Sequence, residues 1–238
     1  MSAAIAVVDL GQRRYQEVLE LQRDLCRRRM SGELDEDLLL LVEHDPVVTL
    51  GRSTRQSSLP LPKQLLEARG VEVFEVERGG DVTLHAPGQL VGYPILDLAG
   101  YRQDLHWYLR QLEETLIRAL GDLGVPAERN PGKTGVWTAG RKIASIGIHV
   151  KQWVTLHGFA LNLTTDLSLF DLIVPCGIHG VTMTSVARET GTSPGDLALR
   201  SRESVIRRFG EVFDRPMETR PIEFGVPVIF RSYGGTAR

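Results

Sequence analysis

Residues 134–163 read TGVWTAGRKIASIGIHVKQWVTLHGFALNL, and the organisation of the chain follows from them. Three runs rich in apolar and β-branched residues, Thr134–Thr138, Arg141–Val150 and Val154–Leu163, are separated only by Ala139-Gly140 and by a turn at Lys151-Gln152. Spacers this short leave no room for a crossover helix, so successive runs pair antiparallel as hairpins. Upstream, Ile5–Leu10 reads as a short strand. Tyr15, Val18, Leu19, Leu25 and Cys26 share one face of an amphipathic helix over roughly 12–30. On that apolar stripe Cys26 reads as a small buried hydrophobe.

Leu38–Glu43 is a continuous apolar run suited to a buried strand, and His44-Asp45-Pro46 turns the chain into an extended Val47–Leu50. Pro60 and Pro62 open a short helix that Gly70 caps. Val71–Glu77 and Leu90–Leu98 read as strands, with Pro94 placing the second at an edge or a bulge. Asp104 is a good N-cap for the clearest helix, carried by Leu105, Tyr108, Leu109, Leu112, Leu116 and Leu120 and ended by Gly121 and Gly124. A last helix fits 196–213. Strands and helices interleave, yet several strands are joined by tight turns. The fold class is therefore α+β with mixed or antiparallel sheets flanked by helices, not a doubly wound parallel sheet. Residues 1–231 are expected to form a single domain, with a frayed tail at 232–238.

Composition excludes several classes. With 238 residues, 42% hydrophobic and 24% charged, the chain is neither disordered, collagen-like nor a disulfide framework. A net charge of −2 supplies no global field for nucleic acid. No stretch approaches the ~18 apolar residues of a membrane span. Two cysteines and no signal peptide point to a reducing cytoplasm. The sequon Asn162-Leu163-Thr164 reads as a strand end.

Four segments carry residues that a strand-and-turn scaffold does not need. In Arg78-Gly79-Gly80-Asp81-Val82-Thr83-Leu84-His85-Ala86-Pro87-Gly88-Gln89, paired glycines let backbone approach a ligand closely, between polar anchors. In Arg141-Lys142-Ile143-Ala144-Ser145-Ile146-Gly147, a lysine opens an otherwise apolar strand; a partly desolvated amine of this kind can act as a base. His157-Gly158-Phe159-Ala160-Leu161-Asn162 puts small residues within a strand, marking a bulge or close approach. Val174-Pro175-Cys176-Gly177-Ile178 sets a cysteine on a turn with little steric cover, as a reactive thiol would be. Gly132-Lys133-Thr134 imitates the end of a phosphate-binding loop, but Ala127 stands where its first glycine belongs and Pro131 intrudes. His149, His157 and His179 match no metal-ligand spacing.

Together and in this order, these segments resemble the LipB-type lipoyl(octanoyl) transferases, the octanoyl-[acyl-carrier-protein]:protein N-octanoyltransferases. The family pattern is Arg-Gly-Gly-x-x-Thr-x-His-x-Pro-Gly-Gln, Lys-Ile-Ala-x-x-Gly, His-Gly-x-Ala-x-Asn and Pro-Cys-Gly. It falls here at 78–89, 142–147, 157–162 and 175–177, with Leu84 and Ala86 where an aromatic and a glycine are usual. The resemblance implies a fold like the biotin and lipoate protein ligase catalytic domain. It implies transfer of an octanoyl group from acyl carrier protein to a lysine of lipoyl domains, those of 2-oxoacid dehydrogenase complexes and of the glycine cleavage H protein.

In that reading Cys176 carries the acyl thioester and Lys142 is its partner. Arg78, Gly79, Gly80, Asp81, Val82, Thr83, Leu84, His85, Ser145, Ile146, Gly147, Gly158, Phe159 and Ala160 line the acyl site. The glycines at 79, 80, 147 and 158 are expected to leave room for the chain. No cofactor or metal is implied, and a monomer is expected. Arg23, Arg27, Arg28, Arg29, Arg52 and Arg55 are candidates for docking an acidic carrier. The competing reading on the same scaffold is an ATP-dependent lipoate or biotin-type ligase, against which Pro175-Cys176-Gly177 speaks.

Overall fold

A computed structural model describes residues 3–174, 180–193 and 195–221. Cys176, His179 and the tail at 232–238 lie outside the described residues. The elements run β1 (Ile5–Arg13), α1 (Tyr15–Ser31), β2 (Asp37–His44), β3 (Val47–Leu50), α2 (Lys63–Glu67), β4 (Glu72–Glu75), β5 (Val82–His85) and β6 (Gln89–Ile95). After these come α3 (Leu105–Asp122), β7 (Glu128–Asn130), β8 (Lys133–Thr138), β9 (Arg141–Lys151), β10 (Val154–Asn162), α4 (Val186–Thr190), α5 (Leu197–Phe213) and β11 (Met217–Thr219).

Among the described residues the strands form an eight-stranded sheet, ordered β11-β1-β2-β6-β10-β9-β8-β7, and a three-stranded sheet, ordered β4-β3-β5. Both are mixed. The β1–β2, β1–β11 and β3–β4 pairs are parallel and the others antiparallel. This is the α+β architecture with helix-flanked mixed sheets.

The unbroken apolar run of β2 follows from its place. It lies between β1 and β6 and is covered on both faces, so both sets of alternating side chains must be apolar. Leu39 and Leu41 enter a core beneath α3 and α5, while Leu38, Leu40 and Val42 enter a second core beneath α1. That second core also takes Cys26, whose thiol burial pushes upward in pKa. A third core backs the small sheet through Val48, Val82, Leu84, Phe170 and Ile173. Asp104 caps α3 by accepting from the Trp107 N–H at 3.0 Å.

The β8–β9 turn takes Ala139 and Gly140 at φ 45° and 76°, the paired left-handed residues of a type I′ hairpin. The β9–β10 turn falls one residue later than the sequence suggests, at Gln152 and Trp153 with φ 48° and 65°, because Lys151 pairs with Val154. Pro94 does not mark an edge: β6 sits between β2 and β10. Its missing N–H is tolerated because the β6–β10 ladder ends at the Gly92–Phe159 pair, two residues short of it. Beyond that point Thr155 takes over, its Oγ1 donating to the Pro94 carbonyl at 2.6 Å and accepting from the Leu96 N–H at 2.9 Å.

Here the two strands come close. A Cβ at Gly158 would lie 2.2 Å from the Gly92 carbonyl oxygen and 2.7 Å from Pro94 Cδ. Gly158→Ala is expected to lower stability by roughly 1–3 kcal/mol, the range for overpacking against atoms that cannot yield. Gly100→Ala, whose Cβ meets nothing within 4 Å, serves as the control in thermal denaturation; equal melting temperatures for the two variants would contradict the packing argument.

Candidate active site

A cavity of about 310 Å³ opens between β9–β10 and the loop that leads into β5. Arg78, Gly79, Gly80 and Asp81 form one wall, continued by Val82, Thr83 and His85 of β5. Lys142, Ser145, Ile146 and Gly147 of β9, with Gly158, Phe159 and Ala160 of β10, form the other. The structure thus brings these fourteen sequence-selected residues to one cavity. Leu84 is not among them: alternation along β5 turns it into the core behind the small sheet.

The wall at 78–80 is fixed by Arg78. Its guanidinium is buried and donates from Nη2 to the Thr49 carbonyl at 2.7 Å, from Nε to Thr49 Oγ1 at 3.2 Å and from Nη1 to the Gly79 carbonyl at 3.1 Å. Main chain adds to this: Gly79 N–H donates to the Ile148 carbonyl at 2.8 Å, and the Arg52 and Ser53 N–H groups donate to the carbonyls of Arg78 and Gly80 at 3.0 Å. A Cβ at Gly51 would stand 2.4 Å from the Gly80 oxygen, and one at Gly147 3.0 Å from Arg78 Cδ. The open sides of Gly147 and Gly158 are therefore filled by the protein's own loop and strand. The expected use of that space by an acyl chain does not hold at these two positions. Asp81 shapes the turn, its carboxylate accepting from Ser58 Oγ and the Val82 N–H at 2.7 Å each.

Lys142 is 3% exposed. The segment before α4 clamps its backbone: its N–H donates to the Thr182 carbonyl at 2.8 Å and its carbonyl accepts from the Thr184 N–H at 2.9 Å. Its Nζ lies 5.5 Å from the Trp137 ring centroid, and Lys133 Nζ lies 5.4 Å from the same ring. Gly135, at φ 116°, makes room, since a Cβ there would sit 2.7 Å from Lys142 Cε. The buried Glu113 holds that glycine in place, accepting its N–H at 3.3 Å.

His44 and His85 are buried side by side, His85 on the cavity wall and His44 beside it. His44 Nδ1 donates to the Arg13 carbonyl at 2.9 Å, so its Nε2 accepts from Tyr93 OH at 2.9 Å. His85 stacks on Tyr15, ring centroids 5.9 Å apart, and its Nδ1 lies 2.8 Å from Gln89 Oε1. Tyr15 and Tyr93 both line the cavity. Desolvation lowers the pKa of His44 to about 4 and, joined by the charge of His44, that of His85 to about 3.

His157, within a motif but given no role by the sequence, also lines the cavity. It is non-glycine at φ 60°, in mid-strand, with its N–H donating to Gln22 Oε1 at 3.0 Å and its Nε2 3.7 Å from Glu77 Oε2. Contact with His157, and then the bidentate Arg23 at 3.0 and 2.8 Å, hold the Glu77 carboxyl well below its usual range. Tyr15, Tyr93, Leu109 and Val181 reach the cavity from separate elements. No local pattern marks them.

The arginines of α1 are already engaged. Besides Arg23 on Glu77, Arg27 pairs with Asp24 and Glu33, Arg28 with Asp24, and Arg29 with Asp37. Each arginine of this helix in the basic set thus has a carboxylate partner.

The buried histidines give a signed pH dependence. An unfolded histidine binds its proton near ~6.5, whereas the folded values are about 4 and about 3. The unfolded state therefore takes up protons first as the pH falls. Their contribution is intact above about pH 6.5 and is lost progressively toward about pH 3–4, by several kcal/mol for the pair. Urea midpoints at pH 7, 6 and 5 should fall in that order, and His44→Asn should flatten the fall; an unaltered slope in the variant would rule out His44 as a source.

Comparison with known proteins gives the family and the fold. Residues 14–212 match the family model of the lipoyl protein ligase A/B catalytic domain. An octanoyltransferase of Gloeobacter violaceus is 52% identical over 172 residues, 72% of this chain and 75% of its own. One of Koribacter versatilis is 48% identical over 215 residues, 88% of this chain and 84% of its own. Among solved structures, a putative lipoate protein ligase from T. acidophilum superposes with a TM-score of 0.73 at 15% identity, covering 96% of this chain and 93% of that one. A lipoate-protein ligase A bound with ATP gives 0.71 at 16% identity, covering 98% and 94%. At such identities the solved structures speak for the fold alone.

Proposed function

The chain belongs to the lipoyl protein ligase A/B catalytic-domain family, and from that premise we propose that it is an octanoyltransferase of protein lipoylation. In this reading the donor is octanoyl-acyl carrier protein, and the acceptor is a lysine of lipoyl domains of 2-oxoacid dehydrogenase complexes or of the glycine cleavage H protein. The observation that carries it is Lys142: a primary amine, 3% exposed, on the wall of a cavity, in a chain about half identical to octanoyltransferases over most of both lengths.

The chemistry proceeds in two displacements. The Cys176 thiolate attacks the thioester carbonyl of the donor; the new carbon–Sγ bond forms as the bond to the carrier's sulfur breaks, and a proton goes to the departing thiolate. The acceptor amine then attacks the enzyme thioester, the carbon–Sγ bond breaks, and the amine's proton returns to sulfur. Exchange between thioesters is nearly neutral and thioester to amide runs downhill, so neither step calls for ATP. Lys142 serves both: an ammonium stabilises the thiolate, and a neutral amine accepts a proton. Arg78 to Thr83, His85, Ser145 to Gly147 and Gly158 to Ala160 enclose the acyl group. Cytoplasmic operation as a monomer fits this role, and among the described residues no helix is long and apolar enough to cross a membrane.

Intact-protein mass after brief mixing with octanoyl-loaded carrier, without ATP, tests the relay. Wild type should gain one octanoyl group and lose it to a lipoyl domain, Cys176→Ala should gain none, and Lys142→Met should be acylated at least tenfold more slowly. Product that appears only with ATP would favour the ligase reading instead.

For carrier docking, the engaged α1 arginines leave Arg52 and Arg55 as the better candidates of the basic set. Arg52 stands beside the Arg78 carbonyl at the cavity loop. Arg52→Glu combined with Arg55→Glu should raise KM for the carrier at low salt and spare KM for the lipoyl domain; an unchanged carrier KM would remove these two from the docking surface.

A further inference from the structure

Gln89 opens β6 and Asn162 closes β10, and the two are register partners, each 1% exposed. Both appear in the sequence motifs, and the transfer chemistry above assigns them nothing. Asn162 Nδ2 donates to the Thr184 carbonyl at 2.9 Å. A carbonyl only accepts, so this contact fixes the amide's orientation and leaves Asn162 Oδ1 to accept from Gln89 Nε2, at 2.9 Å. The second hydrogen of Gln89 Nε2 reaches the Leu84 carbonyl at 3.3 Å. Gln89 Oε1 is then the acceptor that faces His85 Nδ1 at 2.8 Å. His85 must donate there, so in the neutral ring Nε2 carries the lone pair. One backbone carbonyl at Thr184 thus sets, through two amides, the tautomer of a histidine that lines the cavity.

The same carbonyl belongs to the segment that clamps Lys142. Thr184 donates its N–H to the Lys142 carbonyl and Thr182 accepts the Lys142 N–H, at 2.9 and 2.8 Å. Asn162 therefore ties the Lys142 clamp to the His85 ring.

We propose that Gln89 and Asn162 are positioning residues of the acyl transfer, holding the Lys142 backbone and the Nδ1–H tautomer of His85 in a single directed hydrogen-bond chain. The proposal rests on the reading of Lys142 as the partner of Cys176. Each link is directional, so replacing an amide by an isosteric carboxylate reverses a donor without altering volume. Asn162→Asp puts a carboxylate oxygen against the Thr184 carbonyl and frees the clamp. Gln89→Glu keeps the acceptor for His85 but loses the donor to Asn162, and its charge favours a protonated ring.

The test uses full-length chain labelled with nitrogen-15 at histidine, with folding checked by thermal melts. In wild type the His85 signals should be those of the neutral Nδ1–H form at pH 7, and in Gln89→Glu its titration should move to higher pH. In Asn162→Asp the pH midpoint for alkylation of Cys176 should shift, and enzyme acylation should slow by up to roughly 100-fold, the scale of a ~1 Å misplacement of a reacting group. Carrier KM should stay near wild type. Wild-type signals, alkylation midpoint and acylation rate in folded variants would overturn the proposal. If Asn162→Asp does not fold, Gln89→Glu decides by the same two readouts, titration and acylation rate. The wild-type octanoyl adduct separates the two ideas: its absence sinks the transfer reading, whereas its presence beside unaltered variants sinks only the positioning role.

Discussion

A guanidinium withdrawn from water has to find acceptors, and the cavity side of this protein is arranged around the acceptors that Arg78 finds. Thr49 supplies a carbonyl and a hydroxyl from β3, and Gly79 supplies the carbonyl beside it. Satisfying the charge in this way pulls the 78–80 loop flat against Gly51 on one side and Gly147 on the other. The cavity is the space left between that loop and the β9–β10 hairpin. Its shape follows from a buried charge as much as from apolar packing.

The large sheet supplies the rigid counterpart. β2 and β6 are buried on both faces, so the central strands cannot slip register without exchanging side chains between two close-packed cores. β10 departs from regularity beside Pro94, where the ladder to β6 stops and His157 takes a left-handed conformation. Backbone held in that region costs about 1–3 kcal/mol. Here it turns a histidine toward Glu77, on the segment that carries Arg78. The irregularity therefore lies where the two sheets meet across the site.

Much of this was legible in the sequence. Strict spacing gave away the hairpins of 134–163, and Asp104 with its leucine periodicity located α3. The unbroken run at Leu38–Val42 declared an inner strand. The cavity wall was readable because its residues come in contiguous motifs. What escaped depends on contacts between distant segments. Tyr15 and Tyr93 reach the site from an amphipathic helix and a strand whose sequences carry no functional motif. Arg23 looked like part of a basic surface, and its partner Glu77 lies 54 positions away. Leu84 sat inside a motif and was read with it, although period-2 alternation sends it to the opposite face from Thr83 and into the core. Pro94 reads as an edge or a bulge: the edge does not hold, because Thr155 compensates for the proline from a distant strand, whereas the ladder is interrupted beside it. Gly147 and Gly158 looked like space for a ligand, yet each is small so that another part of the backbone can approach.

Trp137 has a consequence of a different kind. Its indole lines the cavity while two amines, those of Lys133 and Lys142, lie within 5.5 Å of its ring. Indole emission responds to nearby charge and to the polarity around it. The other tryptophans, Trp107 and Trp153, lie on α3 and on the β9–β10 turn, outside the cavity lining. The wall of the site is thus its own optical reporter: a change in what fills the cavity, or in the charge on the amines beside it, is written into the protein's intrinsic fluorescence without any added label.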